Sequence, residues 1–209
     1  MLIKIRLKYE KGDEIKYISH LDMLKLFERA SRRCELPIAY TEGFNPRPRL
    51  VFGNPLPVGV TSESEFVDIY LTEDMKPEEL RDKLNEVMPK GARIIEGRVL
   101  GDREDNIMKS VTKSEYVVKV MIEDEDAKKI ISVYNSNVPL KIIKRSKSGN
   151  KETDVRPMIH HLEIDGDELL IITDAGNTSN LRPDLAIEAL KEHANVNVTI
   201  KSVHRSKLL

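Results

Sequence analysis

The sequence predicts an α+β protein built of two ferredoxin-like (βαββαβ) halves, the second with an added β-hairpin. Three observations carry that prediction. Apolar periodicity over residues 1–102 runs strand, helix, strand, strand, helix, strand. Residues 113–209 pass through the same order without obvious sequence identity to the first half. The length, 209 residues, suits two domains of roughly 100 residues each. Between them, the run Gly101-Asp102-Arg103-Glu104-Asp105-Asn106 and onwards to 113 is polar and aperiodic and reads as a linker.

Each element follows from a local pattern. Leu2 to Tyr9 alternates Ile3, Ile5 and Leu7 with Lys4, Arg6 and Lys8, the period of a half-buried strand. Ser19 with Asp22 makes an S-x-x-D capping box for a helix over 20–35, with an apolar stripe of Leu24, Phe27, Ala30 or Ser31, and Cys34. Pro37 stops that helix, because the residue before a proline avoids the α region. Five of the ten prolines then fall between 37 and 60, interleaved with Phe44, Leu50, Val51, Phe52, Leu56 and Val58, which predicts an ordered loop or irregular strand pair. Glu65 to Leu71 resumes alternation, Pro77 opens a helix to Met88 with Leu80 and Leu84 inward, and Ala92 to Leu100 is a strand. In the second half the strand Tyr116–Ile122 and the helix Asp124–Tyr134 precede a strand from Leu140 that reaches a turn at 146–150. Val155–Ile164 and Glu168–Thr173 pair across Asp165-Gly166, Pro183 opens a helix to His193, and Val196–Val203 closes the chain.

Composition narrows the function. Thirty-four Lys+Arg balance 35 Asp+Glu, so any nucleic-acid site must be a local patch. A lone Cys34 excludes a disulfide framework and an iron–sulfur cluster held by this chain. No apolar run approaches a membrane span, and the alternating N-terminal run is unlike a secretory signal, so the expected location is cytoplasmic. G-x-G-x-x-G, G-x-x-x-x-G-K-[ST] and H-E-x-x-H are all missing. His160 and His161, adjacent on a strand, should point to opposite faces and make a poor metal pair.

Three features remain. Ser19, His20 and Asp22 resemble a nucleophile, base and orienter, but their placement at a helix start favours capping, leaving His20 as the residue of interest. Lys25, Arg29, Arg32 and Arg33 share one side of the first helix, either as a solvated face or as a basic surface. In Asn45-Pro46-Arg47-Pro48-Arg49 the prolines hold the chain extended and offer two guanidinium groups, with Tyr40, Phe44 and Phe52 nearby to stack bases; the competing reading packs Phe44 and Phe52 into the core. A second basic run, Lys141, Lys144, Arg145, Lys147 and Lys151, lies on the 141–151 loop. Lys151-Glu152-Thr153-Asp154-Val155-Arg156-Pro157 mixes both signs after it and is suited to pinning a hairpin.

Tyr17-Ile18-Ser19-His20-Leu21-Asp22, Phe27-Glu28-Arg29-Ala30 with Arg33, Tyr40-Thr41-Glu42-Gly43-Phe44-Asn45-Pro46-Arg47-Pro48, Phe52-Gly53 and Leu56-Pro57-Val58-Gly59 together resemble the radical-SAM-linked proteins, an uncharacterised domain family (DUF2344). Lys151-Glu152-x-Asp154-x-Arg156-Pro157 is similar to that family's second block. The resemblance implies a companion radical SAM protein that carries the cluster cysteines, no cofactor in this chain, and no catalytic residues to carry over. The family's association with genes for ribosomal proteins and an RNA-processing nuclease points towards RNA. The expectation is therefore a non-catalytic accessory module that binds RNA or a ribosome-associated substrate for a separately encoded radical SAM enzyme. Its binding residues would be His20, Lys25, Arg29, Phe44, Asn45, Arg47, Arg49, Lys144, Arg145, Lys147 and Arg156. The alternatives are a protein-only adaptor that docks the enzyme through the proline-rich 43–59 surface, and an RNA-cleaving enzyme using His20.

Overall fold

A computed structural model describes residues 2–146 and 149–209, with the side chains of 144–151 outside the described residues. The α+β chain divides into two compact units, Met1–Val111 and Thr112–Leu209. In the first, β1 (Ile3–Lys11), α1 (His20–Arg33), β2 (Leu50–Phe52), β3 (Thr61–Leu71), α2 (Pro77–Val87) and β4 (Ala92–Val99) follow in that order. The strands form an antiparallel sheet in the order β4-β1-β3-β2.

Alternation along β1 sets the core. Ile5 faces Ile69, Leu7 faces Val67 and Tyr9 faces Glu65 across β3, and the first four of these side chains are wholly buried. Burial on that scale contributes about 1.5–3 kcal/mol per large aliphatic side chain. Helix α1 packs Met23, Phe27, Ala30 and Ser31 onto this face. The stripe is rotated slightly from the sequence reading. Met23 is buried in place of Leu24, and Cys34 is the C-cap residue, half-buried with its Sγ 3.0 Å from the Lys83 carbonyl oxygen. Phe27, Phe52 and Tyr9 meet edge to face, their ring centroids 5.1–6.3 Å apart.

Residues 101–111 are not a bare linker. They carry a helical turn, α3 (Ile107–Ser110), that caps the opposite side of the sheet. Arg6 and Asp68 are cross-strand partners on that side and pair through two guanidinium–carboxylate bonds of 2.7 and 3.0 Å. Asp68 Oδ2 also accepts from the Ile107 N–H at 2.7 Å, and Arg6 Nη2 donates to the Asp105 carbonyl at 2.9 Å. Ile107 and Val111 are buried beneath. The polar composition reflects this pairing and an exposed outer side, with Glu104 accepting from Arg98 and from the Gly101 N–H.

In the second unit, β5 (Lys113–Met121), α4 (Asp124–Asn135), β6 (Lys141–Ser146), β7 (Gly149–Asp154), β8 (Ile159–Asp165), β9 (Glu168–Asp174), α5 (Pro183–Ala194) and β10 (Thr199–Leu208) follow one another. The sheet order is β10-β5-β9-β8, all antiparallel, and β6 and β7 pair apart from it as a hairpin of their own. Val118, Ile130, Leu140, Leu169, Ile171 and Leu190 form the centre of its core. The closing strand starts and ends later than its periodicity suggested, because Asn195 ends α5 in the left-handed conformation and the chain stays paired with β5 as far as Leu208.

Candidate functional site

The proline-rich stretch folds into a closed hairpin-like loop anchored on β3. The Ala39 N–H donates to the Tyr70 carbonyl (2.7 Å), Arg49 N–H to Ala39 (2.7 Å) and Thr41 N–H to Arg47 (2.9 Å). The Arg47 N–H donates to Thr41 Oγ1 at 3.1 Å. Pro48, opposite Tyr40, is buried, so the period-2 alternation turns Arg47 and Arg49 outwards. At the tip Gly43 takes φ +119°, which a side chain rarely adopts, and beside it Phe44 is fully exposed at 104% of its reference area.

This loop gathers four of the expected residues, Phe44, Asn45, Arg47 and Arg49, all exposed, with Tyr40 beside them. The Arg49 guanidinium lies 4.3 Å from the Tyr70 ring centroid, a cation–π contact, and the residue stays exposed. Arg47 has no carboxylate partner among the described residues. Phe52, by contrast, is 6% exposed and belongs to the core, so neither sequence reading of the aromatics holds for both rings.

A second cationic surface runs along α1. Lys25, Arg29 and Arg33 recur one turn apart and wall a groove of about 470 Å³ between α1 and the end of α2, floored by Ile18, Leu26, Ala30, Val87 and Pro89. Asp22 approaches Lys25 at 3.7 Å. Arg33 joins Lys25 and Arg29 here, while Arg32 is not among the lining residues.

His20 occupies a different surface, at the first turn of α1. Its ring is edge-on to Phe52 (5.5 Å), and burial holds its pKa below the ordinary 6.5 against the opposing pull of Glu65. Ser19 Oγ accepts from the Asp22 N–H (3.2 Å) and donates to Asp22 Oδ2 (2.7 Å), so these two form the helix cap and not a relay through His20. Lys11 and Glu65, each 4% exposed, line the same small pocket with Asn54, and Lys11 Nζ donates to the Ile18 carbonyl. Sequence reasoning passed over this group. The signal was there: Lys11 and Glu65 continue the inward parity of Tyr9 and Val67, where a charge is out of pattern.

In the second unit Arg156 is engaged by its own chain. Nε and Nη2 donate to the Tyr134 carbonyl, Nη1 donates to Ile159, and the guanidinium covers the Tyr134 ring at 4.2 Å. Asp154 Oδ1 accepts from the Leu140 and Arg156 N–H groups, and Lys141 pairs with Glu152 at 3.0 Å, so much of the mixed-charge block holds the unit together. The side chains of Lys144, Arg145 and Lys147 lie outside the described residues. His160 and His161 are both exposed, because the β8–β9 register shifts between Ile159 and His161, and this corrects the expectation of opposite faces. Each faces a carboxylate, Asp174 at 2.5 Å and Glu163 at 3.6 Å. Among the described residues no group of three His, Cys, Asp or Glu is placed to hold a metal ion, and no helix is long and apolar enough to cross a membrane.

No curated protein matches the chain. Solved structures that resemble it across nearly its full length include three complexes. One is an archaeal box H/ACA sRNP Nop10–Cbf5 complex (12% identity, 97% of this chain and 46% of that one, TM-score 0.46). Another is a Cbf5–Nop10–Gar1 complex (15%, 97% and 47%, 0.48). The third is an H/ACA RNP bound to a substrate RNA containing 2′-deoxyuridine (14%, 99% and 47%, 0.45). The chain spans less than half the length of each of these three chains. The family DUF2344, described as an uncharacterized protein conserved in bacteria, matches residues 4–183, a span that takes in the capping turn of α1, the 39–49 loop and the Asp154/Arg156 clamp, and the chain belongs to that family.

Proposed function

We propose that the chain is a non-catalytic accessory module that binds single-stranded RNA, or an RNA-containing ribosomal substrate, through the 39–49 loop and presents it to a separate enzyme. The observation that carries this reading is the loop itself. A fully exposed Phe44 stands beside Tyr40, Arg47 and Arg49 on a frame fixed by backbone hydrogen bonds and a buried proline. Aromatic rings accept bases of any identity, and guanidinium groups take phosphates bidentately. A stiff loop loses little conformational freedom when it does so. The enzyme served is, by the family resemblance, a radical SAM protein, and this chain works without a cofactor of its own in the cytoplasm. The strand orders β4-β1-β3-β2, with α1 and α2, and β10-β5-β9-β8, with α4 and α5, support the reading of both units as ferredoxin-like. In the first unit, α3 covers part of the sheet side that such a fold leaves open, which favours the loop as the binding surface.

The test is fluorescence anisotropy of labelled single-stranded and structured RNA fragments at low and physiological salt. Wild type should bind in a salt-sensitive manner, and Arg47→Ala/Arg49→Ala should abolish most of the signal. Salt-independent capture of the radical SAM protein with no RNA bound at low salt would favour the adaptor reading, with Phe44 as its anchor. RNA cleavage by wild type that His20→Ala removes would favour the enzyme.

A further inference from the structure

We propose that the groove between α1 and α2 docks an amphipathic helix of a protein partner, with an aliphatic face on its floor and carboxylates along its cationic wall. This docking site is separate from the 39–49 loop and does not depend on RNA binding there.

Lys25, Arg29 and Arg33 rise in steps of about 6 Å, four residues at a time along α1. A second helix laid alongside repeats its own side chains at that spacing, so glutamates at i, i+4 and i+8 meet the three cations in register. Like charges one turn apart cost stability when nothing neutralises them, and neither Arg29 nor Arg33 has a carboxylate partner among the described residues. The nearby Asp22 is engaged by Ser19 and Lys25. The floor decides between polyanions. Ile18, Leu26 and Val87 are aliphatic and partly exposed, and among the described residues no aromatic ring lines the groove. Bases gain most of their sequence-tolerant affinity by stacking on rings, whereas leucine and isoleucine side chains of a helix fill such a floor.

The test uses the ¹⁵N-labelled full chain and two probes, a model helix with leucines on one face flanked by glutamates, and oligo-uridylate. The model helix should shift the amide resonances of Leu26, Arg29, Arg33 and Val87. Arg29→Glu/Arg33→Glu should weaken its binding by about tenfold or more. Both arginines are exposed, so the reversed variant keeps its fold and its dispersed spectrum. The proposal is overturned if the helix shifts no groove resonance, or if oligo-uridylate shifts these resonances and the helix does not. Loss of RNA binding at Arg47 and Arg49 with helix docking intact, or the converse, separates this site from the loop.

Discussion

Asp68 shows how much a single side chain does in this fold. It is completely buried and accepts from Arg6 and from the Ile107 N–H, so it ties β1, β3 and α3 to one carboxylate. Asp68→Ala would leave the largely buried Arg6 without its counter-charge, and the expected loss is about 3–5 kcal/mol, read as a lower midpoint in urea unfolding. Little of this was legible in the sequence. Arg6 and Asp68 sit at the outward parity of alternating strands, where charge normally means solvent, and a segment some forty residues further along covers them. His20 makes a second prediction. Burial lowers its folded pKa below 6.5, so the unfolded chain takes up the proton first. The stabilisation is complete above pH 6.5 and is lost as pH falls from there through the folded pKa. The thermal midpoint should drop over that window, and His20→Phe should flatten the drop; an unchanged pH profile in the variant would contradict the assignment.

At the scale of elements, packing between α2 and the sheet depends on Gly97. A Cβ there would lie 2.6 Å from Leu7 Cδ2 and 3.2 Å from Pro77 Cβ, so the core leucine and the first turn of α2 both restrict it. Gly97→Ala should destabilise by about 1–3 kcal/mol, measured by denaturant unfolding. The 39–49 loop behaves in the opposite way. Phe44→Ala removes a side chain that meets solvent and should leave stability within about 0.5 kcal/mol of wild type while weakening RNA binding. Elements with strong local signals were legible. The Ser19 cap, the Pro77 and Pro183 helix starts and the β1 alternation all appear where their patterns place them. The prolines signalled an extended strip at 45–49, but its closure onto Ala39 and Tyr70 depends on backbone hydrogen bonds that leave no side-chain pattern. The same gap hid α3, four residues long and held by a carboxylate from another strand.

For the whole molecule, net charge is −1, so no general basic field draws RNA to the chain and any RNA affinity must come from a local patch. Each phosphate neutralised on a single strand contributes about 0.7 to the salt slope, so Arg47→Ala/Arg49→Ala should reduce that slope by roughly 1.4 if both arginines hold phosphates. The absence of tryptophan from the sequence gives the most direct test of the account. Phe44→Trp places a single indole at the exposed tip of the loop, where base stacking quenches its emission. Titration with oligo-uridylate at low salt should quench the fluorescence and added salt should restore it. Emission unchanged by RNA, from a folded variant at low salt, would contradict the claim that this loop is the RNA-binding surface.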